Sequence, residues 1–189
     1  MEKCRSCGNS ELKILIDLGI QPVAHNLLKF KEEERYRHSL CLHYCEKCGF
    51  IQISDPIPPE KLYTEYNFCF SQWKNQPQIS DEIELLKRNV VDKDGRILEI
   101  GCNDGVFLKP LLNAGFKNIV GVEANPYASK EAEMESVNII NVMFDQNSAV
   151  NIKEEYGEFD IIILRHVLEH IPDLQSFFEN VDLLLKKYL

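Results

Sequence analysis

The stretch Leu98-Glu-Ile-Gly-Cys-Asn-Asp-Gly-Val-Phe-Leu108 decides the fold of the second half of this chain. Residues 96–100 are mostly apolar and predict a short buried strand, and apolar residues recur at helical spacing after it. Gly101 and Gly105 lie in between, where the backbone must turn sharply and a ligand can approach closely. A second apolar run ends in Glu123, and folds of this kind hold a ribose diol with such an acid. The stretch therefore predicts a nucleotide-like ligand at a strand-to-helix turn.

The residues of the turn distinguish between classes of nucleotide ligand. The dinucleotide fingerprint G-x-G-x-x-G would need glycines at Asn103 and Val106, so this chain does not match it. Glu99 and Asp104 flank the turn, and acidic groups favour a cationic ligand over a pyrophosphate. S-adenosylmethionine carries a sulfonium and an ammonium group together with a ribose diol and an adenine. The order acid-x-Gly-x-x-x-Gly with a later acid resembles the motifs of Rossmann-like methyltransferases.

Three further expectations concern the same site. A side chain at position 101 is expected to enter the space of the ligand. Asp104 is a candidate partner for the amino group of the cofactor, with a solvated turn acid as the alternative. Asp145 follows the third predicted strand and is a candidate for contact with the adenine amino group.

The composition excludes several classes of protein. The chain has 189 residues, of which 44% are hydrophobic, and a formal charge of −9. No apolar run approaches the ~20 residues of a membrane span, and the start Met-Glu-Lys-Cys does not match a signal peptide. The negative charge argues against a nonspecific nucleic-acid binder. Seven cysteines do not indicate a disulfide framework, so we expect a reducing, cytoplasmic location. From the negative charge and the short apolar runs we expect neither nucleic-acid nor membrane partners.

Two C-x-x-C-G knuckles near the N-terminus predict a metal site. The ligands would be Cys4 and Cys7 from the first knuckle and Cys45 and Cys48 from the second. Four thiolates close a tetrahedral zinc site, which makes the predicted Zn²⁺ structural. The glycine after each knuckle lets the backbone turn around the metal. Cys41 lies in a predicted strand, Cys69 in an aromatic run and Cys102 in the glycine turn. We expect all three to serve as small apolar side chains.

The pattern along the chain predicts two domains of different class. Residues 1–76 predict a small β-rich zinc-binding domain with strands at 13–17, 39–44 and 50–54 and a short helix at 60–66. Residues 77–189 predict a parallel α/β sheet of Rossmann-like methyltransferase type, entered by a helix with Ser80 as N-cap. Its strands are predicted at 96–100, 118–122, 138–142 and 159–164, and its later helices at 105–115, 126–136, 148–155 and 173–187. We expect Asn125 to cap the helix at 126.

The number of predicted strands is smaller than in a complete methyltransferase. A Rossmann-like methyltransferase sheet has seven strands, and this pattern predicts about four. We therefore expect an incomplete methyltransferase domain. A missing C-terminal domain or a complementing chain is the expected partner.

Both halves together resemble the sugar C-methyltransferases, which add methyl branches to nucleotide-linked deoxysugars. In that family a zinc-binding domain precedes the methyltransferase domain, and a further C-terminal domain completes the enzyme. The likeness covers all 189 residues and rests on the two knuckles and several other stretches. These stretches are Leu18-Gly-Ile-Gln-Pro-Val-Ala24, Leu62-Tyr-Thr-Glu-Tyr-Asn-Phe68, Glu99-Ile-Gly-Cys-Asn-Asp-Gly105 and Arg165-His-Val-Leu-Glu-His-Ile171.

The resemblance implies a cofactor, a substrate and site residues. It implies deoxysugar biosynthesis, S-adenosylmethionine as cofactor and a nucleotide-linked keto-sugar as substrate. Catalytic or substrate-binding roles fall around Tyr66 and His170, and His166 is a further candidate. The family's aromatic motif continues with a second tyrosine, where this chain has Phe68. The implied cofactor contacts are Glu99, Gly101, Asn103, Gly105 and Glu123.

The chemistry of carbon methylation explains why these residue types matter. A base must remove a proton beside the ketone, and a histidine with a pKa near neutrality suits that task. Tyr66 is a candidate donor to the enolate oxygen. Two alternatives remain open at this point. One is methylation of another small molecule or an RNA base, and the other is a non-catalytic module that retains the cofactor pocket.

Overall fold

The computed structural model describes residues 3–23, 30, 32–58, 69–72, 76–90, 92–134 and 137–187. Two compact units are distinguished. The first unit comprises Met1–Tyr66 and Pro172–Gln175, and the second comprises Asn67–Ile171 and Ser176–Leu189. The predicted short helix at 60–66 lies outside the described residues.

The first unit contains an antiparallel sheet of three strands in the order β1-β2-β3. The strands are β1 (Leu12–Pro22), β2 (Arg37–Cys45) and β3 (Ile51–Ile53). All three were predicted, but β1 is longer than predicted. Irregular register between Ile14 and Ile16 and between Asp17 and Ile20 interrupts the alternation of apolar and polar residues. The alternation of apolar and polar residues therefore predicted an end of β1 at residue 17, five residues before its observed end at Pro22.

The second unit contains a parallel sheet of four strands with helices between them. Its elements are α1 (Gln78–Asn89), β4 (Arg96–Ile100), α2 (Leu108–Asn113), β5 (Asn118–Val122), α3 (Pro126–Met134), β6 (Ile139–Ile140), α4 (Gln146–Tyr156), β7 (Ile161–Leu164) and α5 (Leu174–Leu184). The strand order is β6-β5-β4-β7, and every pairing is parallel. The direction of strand addition reverses at β4. Ligands of open α/β sheets bind at such a switch point.

The core of the second unit lies on both faces of the sheet. Ile97 packs in one cluster with α1 and α2, and Leu98 packs in the other with α4 and α5. Successive residues of a strand point to opposite faces, so the alternation along β4 supplies both clusters. On the face of Ile97, the next position along the strand is Glu99, which places a carboxylate at the end of β4.

Two predicted helix starts are wrong for physical reasons. Ser80 lies inside α1, where its hydroxyl donates to the carbonyl of Pro77 over 2.7 Å, so it is not the N-cap. The helix predicted from residue 105 begins only at Leu108. Gly105 has a φ of 72°, which belongs to the left-handed region and cannot continue a right-handed helix. The prediction of Asn125 as a cap is confirmed, since its Oδ1 accepts from the N–H of Tyr127 over 2.9 Å.

Among the described residues, the helices are all too short or too polar to cross a lipid bilayer.

Candidate cofactor site and metal centre

The glycine turn, residues 101–107, is held against the neighbouring strand by backbone hydrogen bonds. The N–H groups of Gly101 and Cys102 both donate to the carbonyl of Val122, over 2.8 and 3.2 Å. Gly101 and Asn103 have φ angles of 73° and 51°, so the backbone reverses direction twice within three residues. Left-handed conformations are natural for glycine and tolerated by asparagine, which explains these residue types in the turn.

Glu123 contacts the glycine turn from the end of β5. Its Oε2 accepts from the N–H of Asn103, and its Oε1 accepts from the N–H of Asn125, each over 2.7 Å. Burial raises the pKa of Glu123, and the backbone N–H groups oppose that rise. The structure thus brings together the turn and the distal acid, 20 residues apart in sequence.

Asp104 is also buried within the second unit. Its side chain is 6% exposed, so the alternative of a solvated turn acid is wrong. Oδ2 accepts from the N–H of Ser71 over 2.9 Å, and Oδ1 has no hydrogen-bond partner among the described residues. Asn103 Oδ1 accepts from the N–H of Phe70, the residue before Ser71, over 2.9 Å. Two side chains of the turn therefore hold residues 70–71, a contact that the sequence did not predict.

Glu99 lies at the end of β4 with its side chain 2% exposed. Arg165 Nη1 is 3.5 Å from Glu99 Oε1, whereas Glu99 Oε2 has no hydrogen-bond partner among the described residues. Burial raises the pKa of Glu99 to about 8, and the guanidinium of Arg165 opposes that rise.

Buried acidic side chains outnumber basic ones around the turn, although Glu99, with a pKa of about 8, keeps its proton near neutral pH. Glu99, Asp104 and Glu123 are 1%, 6% and 9% exposed. Within the described part of the chain, Arg165 is the one basic side chain that pairs with these acids. Buried carboxylates are costly unless they are compensated by positive charge or hydrogen bonds. The residues present therefore fit a cationic ligand with hydroxyl groups, which is the chemistry of S-adenosylmethionine.

The predicted reason for glycine at position 101 is wrong. A Cβ on Gly101 would lie 2.5 Å from Val167 Cγ2, so it would meet the protein and not the space of a ligand. Val167 belongs to the histidine loop, residues 165–170, which follows β7. The loop and the turn are therefore packed directly against each other, and Gly101 permits that contact.

The predicted catalytic histidines lie in the histidine loop, at the carboxyl edge of the sheet. His166 has a left-handed φ of 54°, and its exposed ring places Nδ1 3.8 Å from Glu169 Oε1. His170 is exposed at the end of a short 3₁₀ turn, and its N–H donates to the carbonyl of Val167 over 2.9 Å. Their catalytic roles stay predictions. The third candidate, Tyr66, lies outside the described residues.

Asp145 is the N-cap of α4. Its Oδ1 accepts from the N–H of Ser148, and its own N–H donates to Ser148 Oγ, each over 2.8 Å. This reciprocal capping box is enough to explain why position 145 is an acid, so no ligand contact is needed to explain it. Contact between Asp145 and adenine stays a prediction.

The three remaining cysteines are buried, as expected for small apolar side chains. Cys41 is buried in β2, and Cys102 is buried in the core beside the turn. Burial raises the pKa of the Cys69 thiol to about 11, with a further contribution from the charge of Asp104. Burial also raises the pKa of the Cys102 thiol, so the thiols of Cys69 and Cys102 are neutral near pH 7 and poor nucleophiles.

The four predicted metal ligands form one cluster in the first unit. The Sγ atoms of Cys4, Cys7, Cys45 and Cys48 all lie within 4.8 Å of one another. The distances between Sγ of Cys4 and Cys48 and between Sγ of Cys7 and Cys45 are 3.6 and 3.7 Å. Sulfurs bound tetrahedrally at a Zn–S distance of about 2.3 Å would be about 3.8 Å apart, so the cluster fits Zn²⁺.

Backbone turns and one buried side chain support this cluster. Gly8 and Gly49 have φ angles of 71° and 77° and donate to the carbonyls of Cys4 and Cys45, as the predicted knuckle turns require. Gln52 on β3 is 6% exposed. Its Oε1 accepts from the N–H of Arg5, over 2.9 Å, which joins the sheet to the first knuckle.

Matches to known families agree with both sites. Residues 72–188 match the family described as methyltransferase domain. Residues 4–63 match a zinc binding domain family, which together with the four-cysteine cluster confirms the zinc prediction. Since the first match covers more than half of the chain, the chain belongs to the methyltransferase domain family.

Two curated relatives show how far the likeness extends. The C-methyltransferase NovU of Streptomyces niveus is 24% identical over 98% of this chain and 45% of its own length. The ubiquinone biosynthesis O-methyltransferase of Chelativorans sp. is 28% identical over 48% of this chain and 36% of its own length. The chain thus spans less than half the length of either relative.

Among solved structures, a SAM-dependent methyltransferase from Anabaena variabilis has the same fold. The two share 18% sequence identity with a TM-score of 0.51, covering 61% of this chain and 50% of the other. The predicted Rossmann-like fold of the second unit is confirmed.

Proposed function

We propose that the chain binds S-adenosylmethionine and acts in methyl transfer to a carbon of a nucleotide-linked keto-deoxysugar. The observation that carries the cofactor part is the set of buried acids around the glycine turn at the switch point of the sheet. The sugar part rests on the resemblance of the sequence to sugar C-methyltransferases. The similarity to NovU over 98% of the chain supports it.

Three groups of the chain would hold the cofactor. The carboxylate oxygens of Glu123 accept from the N–H groups of Asn103 and Asn125, and their remaining lone-pair capacity suits a ribose hydroxyl. The unpartnered Oδ1 of Asp104 suits an ammonium group. The third group is the backbone of the glycine turn, which Gly101 and Asn103 hold with left-handed φ angles. When bound, the cofactor supplies an electrophilic methyl group on a cationic sulfur.

The remaining task of the chain is to manage a proton on the sugar. His170 or His166 is the proposed base for the proton beside the ketone, and Tyr66 is the proposed donor to the enolate oxygen. Both histidines lie on the loop that packs against the glycine turn through Val167. General-base catalysis contributes about 10²–10⁴-fold to the rate, so loss of the correct histidine has a measurable effect.

A methyl-transfer assay with matched variants tests this function. The full chain is incubated with methyl-labelled S-adenosylmethionine and a nucleotide-linked 4-keto-deoxysugar, and the label on sugar carbon is counted. We expect transfer by the unaltered chain, and a loss of about 10²–10⁴-fold in His170→Gln or His166→Gln with unchanged cofactor affinity. Lys153→Gln, on α4, is the control.

The alternative functions give different outcomes in the same assay. Label on RNA or on another small molecule, with none on the sugar, would contradict the proposed substrate. Cofactor binding without transfer to any acceptor, both by this chain and by a longer form of the protein, would indicate a non-catalytic module.

A further inference from the structure

Arg165 links several elements of the second unit at the glycine turn. Its Nε lies 3.0 Å from Glu82 Oε2 on α1, and its Nη1 lies 3.5 Å from Glu99 Oε1 on β4. Its guanidinium carbon is 4.2 Å from the ring centroid of Phe107, which immediately precedes α2. One side chain at the start of the histidine loop thus contacts two acids and an aromatic ring.

These contacts need the shape of a guanidinium as well as its charge. The side chain of Arg165 is 15% exposed, and that of Glu99 is 2% exposed. A planar guanidinium can pair with two carboxylates along its edge while its face stacks on a ring, whereas an ammonium group cannot. When Glu99 is ionised, Arg165 is its positive neighbour, so removing Arg165 leaves that buried charge uncompensated.

The histidine loop contacts the glycine turn at a second point two residues further on. Val167 Cγ2 lies 2.5 Å from the position that a Cβ of Gly101 would occupy. His166, between the two contacts, has a φ of 54°, a conformation that non-glycine residues adopt only when their surroundings impose it. The contacts of Arg165 and Val167 on either side provide that constraint.

We propose that Arg165 is a positioning residue of the cofactor site, which holds the histidine loop and the glycine turn in a single arrangement. This inference rests on the proposed function, because it assumes that the turn binds S-adenosylmethionine. It adds that the affinity of the turn for the cofactor depends on a side chain that need not touch the cofactor.

A second effect of Arg165 acts through the charge of Glu99. The groups that face Glu99 are Arg165 from the histidine loop, Glu82 from α1, Glu123 from the end of β5 and Cys102 from the turn. Burial raises the pKa of Glu99 to about 8, and Arg165 is the positive group that opposes that rise. Without Arg165, Glu99 would become ionised only at a higher pH, and a cationic ligand would lose an acidic neighbour.

Cofactor titration of three variants tests this role. Dissociation constants for S-adenosylmethionine are measured calorimetrically between pH 6.5 and 9 for Arg165→Met, Arg165→Lys and the control Arg88→Met, an exposed residue of α1. We expect Arg165→Met to weaken binding at least tenfold at pH 7.5 and to move the pH profile upward. Arg165→Lys should be intermediate, and Arg88→Met unchanged. The titration of the ligand itself is common to all of these proteins, so it cancels in the comparison.

Two further variants separate positioning from a general loss of structure. Glu82→Gln removes one ion pair and should weaken binding less than Arg165→Met, with an unchanged melting temperature as the check on folding. In a Glu99→Gln background, Arg165→Met should reduce the affinity by less than it does in the unaltered chain. The reason is that the acid compensated by Arg165 has already been replaced by a neutral group.

The possible results distinguish the two proposals. If the unaltered chain binds the cofactor and Arg165→Met binds it within twofold with the same pH profile, Arg165 is not a positioning residue. If the unaltered chain does not bind the cofactor, the proposed function is overturned, and this inference with it.

Discussion

The N–H of Asn103 donates to Glu123 Oε2 over 2.7 Å, joining the turn after β4 to the end of β5. Because the other carboxylate oxygen accepts from the N–H of Asn125, the acid is held at both oxygens by backbone groups. Glu123 is therefore fixed in place before any ligand binds, and its remaining lone pairs have a defined direction. Such preorganisation reduces the entropic cost of binding.

Replacing Glu123 by glutamine is expected to weaken cofactor binding at least tenfold. The amide NH₂ cannot accept a hydrogen bond, so the backbone N–H of either Asn103 or Asn125 loses its partner on Glu123. Calorimetric titration measures the change, with Glu154→Gln on the exposed side of α4 as the matched control. Equal affinity in the two variants would contradict a cofactor role for Glu123.

Replacing Gly101 by alanine is expected to destabilise the chain by about 2–5 kcal/mol. This range adds the cost of placing alanine in a left-handed backbone, at φ 73°, to the cost of a Cβ that lies 2.5 Å from Val167 Cγ2. Gly19→Ala is the control, because Gly19 has a φ of 66° but no atom within 4 Å of its Cβ position. Denaturant unfolding gives both values.

The double variant Gly101→Ala with Val167→Ala tests the cause of that destabilisation. Truncating Val167 removes the methyl group that the new Cβ would meet, so the second substitution should recover part of the lost stability. A purely additive loss would show that the histidine loop does not pack on Gly101 as described.

Removing one thiolate is expected to abolish zinc binding and unfold the first unit selectively. Cys48→Ser takes one of four ligands from the cluster, and structural zinc sites contribute about 10–16 kcal/mol of apparent binding free energy. Zinc per chain is measured by elemental analysis. Cys41→Ser, a buried cysteine of the same unit outside the cluster, should retain the metal. Full zinc occupancy in Cys48→Ser would refute the four-thiolate site.

The stability of the chain should fall with rising pH through the titration of Glu99. Burial raises the pKa of this acid from 4.5 to about 8 in the folded chain. Between these values the unfolded chain has released the proton and the folded chain retains it, so the free energy of unfolding decreases by up to about 1.4 kcal/mol per pH unit. Below pH 4.5 both the folded and the unfolded chain hold this proton, so the titration of Glu99 no longer changes the stability.

Glu99→Gln isolates this contribution, because glutamine does not titrate. The stability of the variant relative to the unaltered chain should rise between pH 5 and pH 8 in denaturant unfolding. A difference that stays constant over that range would show that Glu99 is ionised throughout.

Local patterns were sufficient to predict much of the second unit. The strands at 96–100 and 118–122 have the predicted bounds, because each is a short apolar run between turn residues. The cysteine cluster was predictable since knuckle spacing fixes the local geometry of each pair. The cap at Asn125 was predictable because its side chain accepts from the first turn of the helix that directly follows it in sequence.

Contacts between distant residues were the part that the sequence did not reveal. Arg165 directly follows the apolar run of β7. A charged residue at the end of a buried strand indicates an ion pair, but the sequence does not show which acids are its partners. Its acids at 82 and 99 become neighbours only when the sheet and α1 pack together. The same holds for Ser71 and Asp104, because a backbone N–H donor has no sequence signature.

Calorimetric titration of the chain with S-adenosylmethionine, beside an equal titration with a nicotinamide dinucleotide, tests whether the glycine turn selects a cationic ligand. The acidic glycine turn should bind the cationic cofactor with a stoichiometry of one, lose that affinity in Glu123→Gln, and not bind the anionic dinucleotide. Binding of the dinucleotide, with no heat from S-adenosylmethionine, would contradict the account.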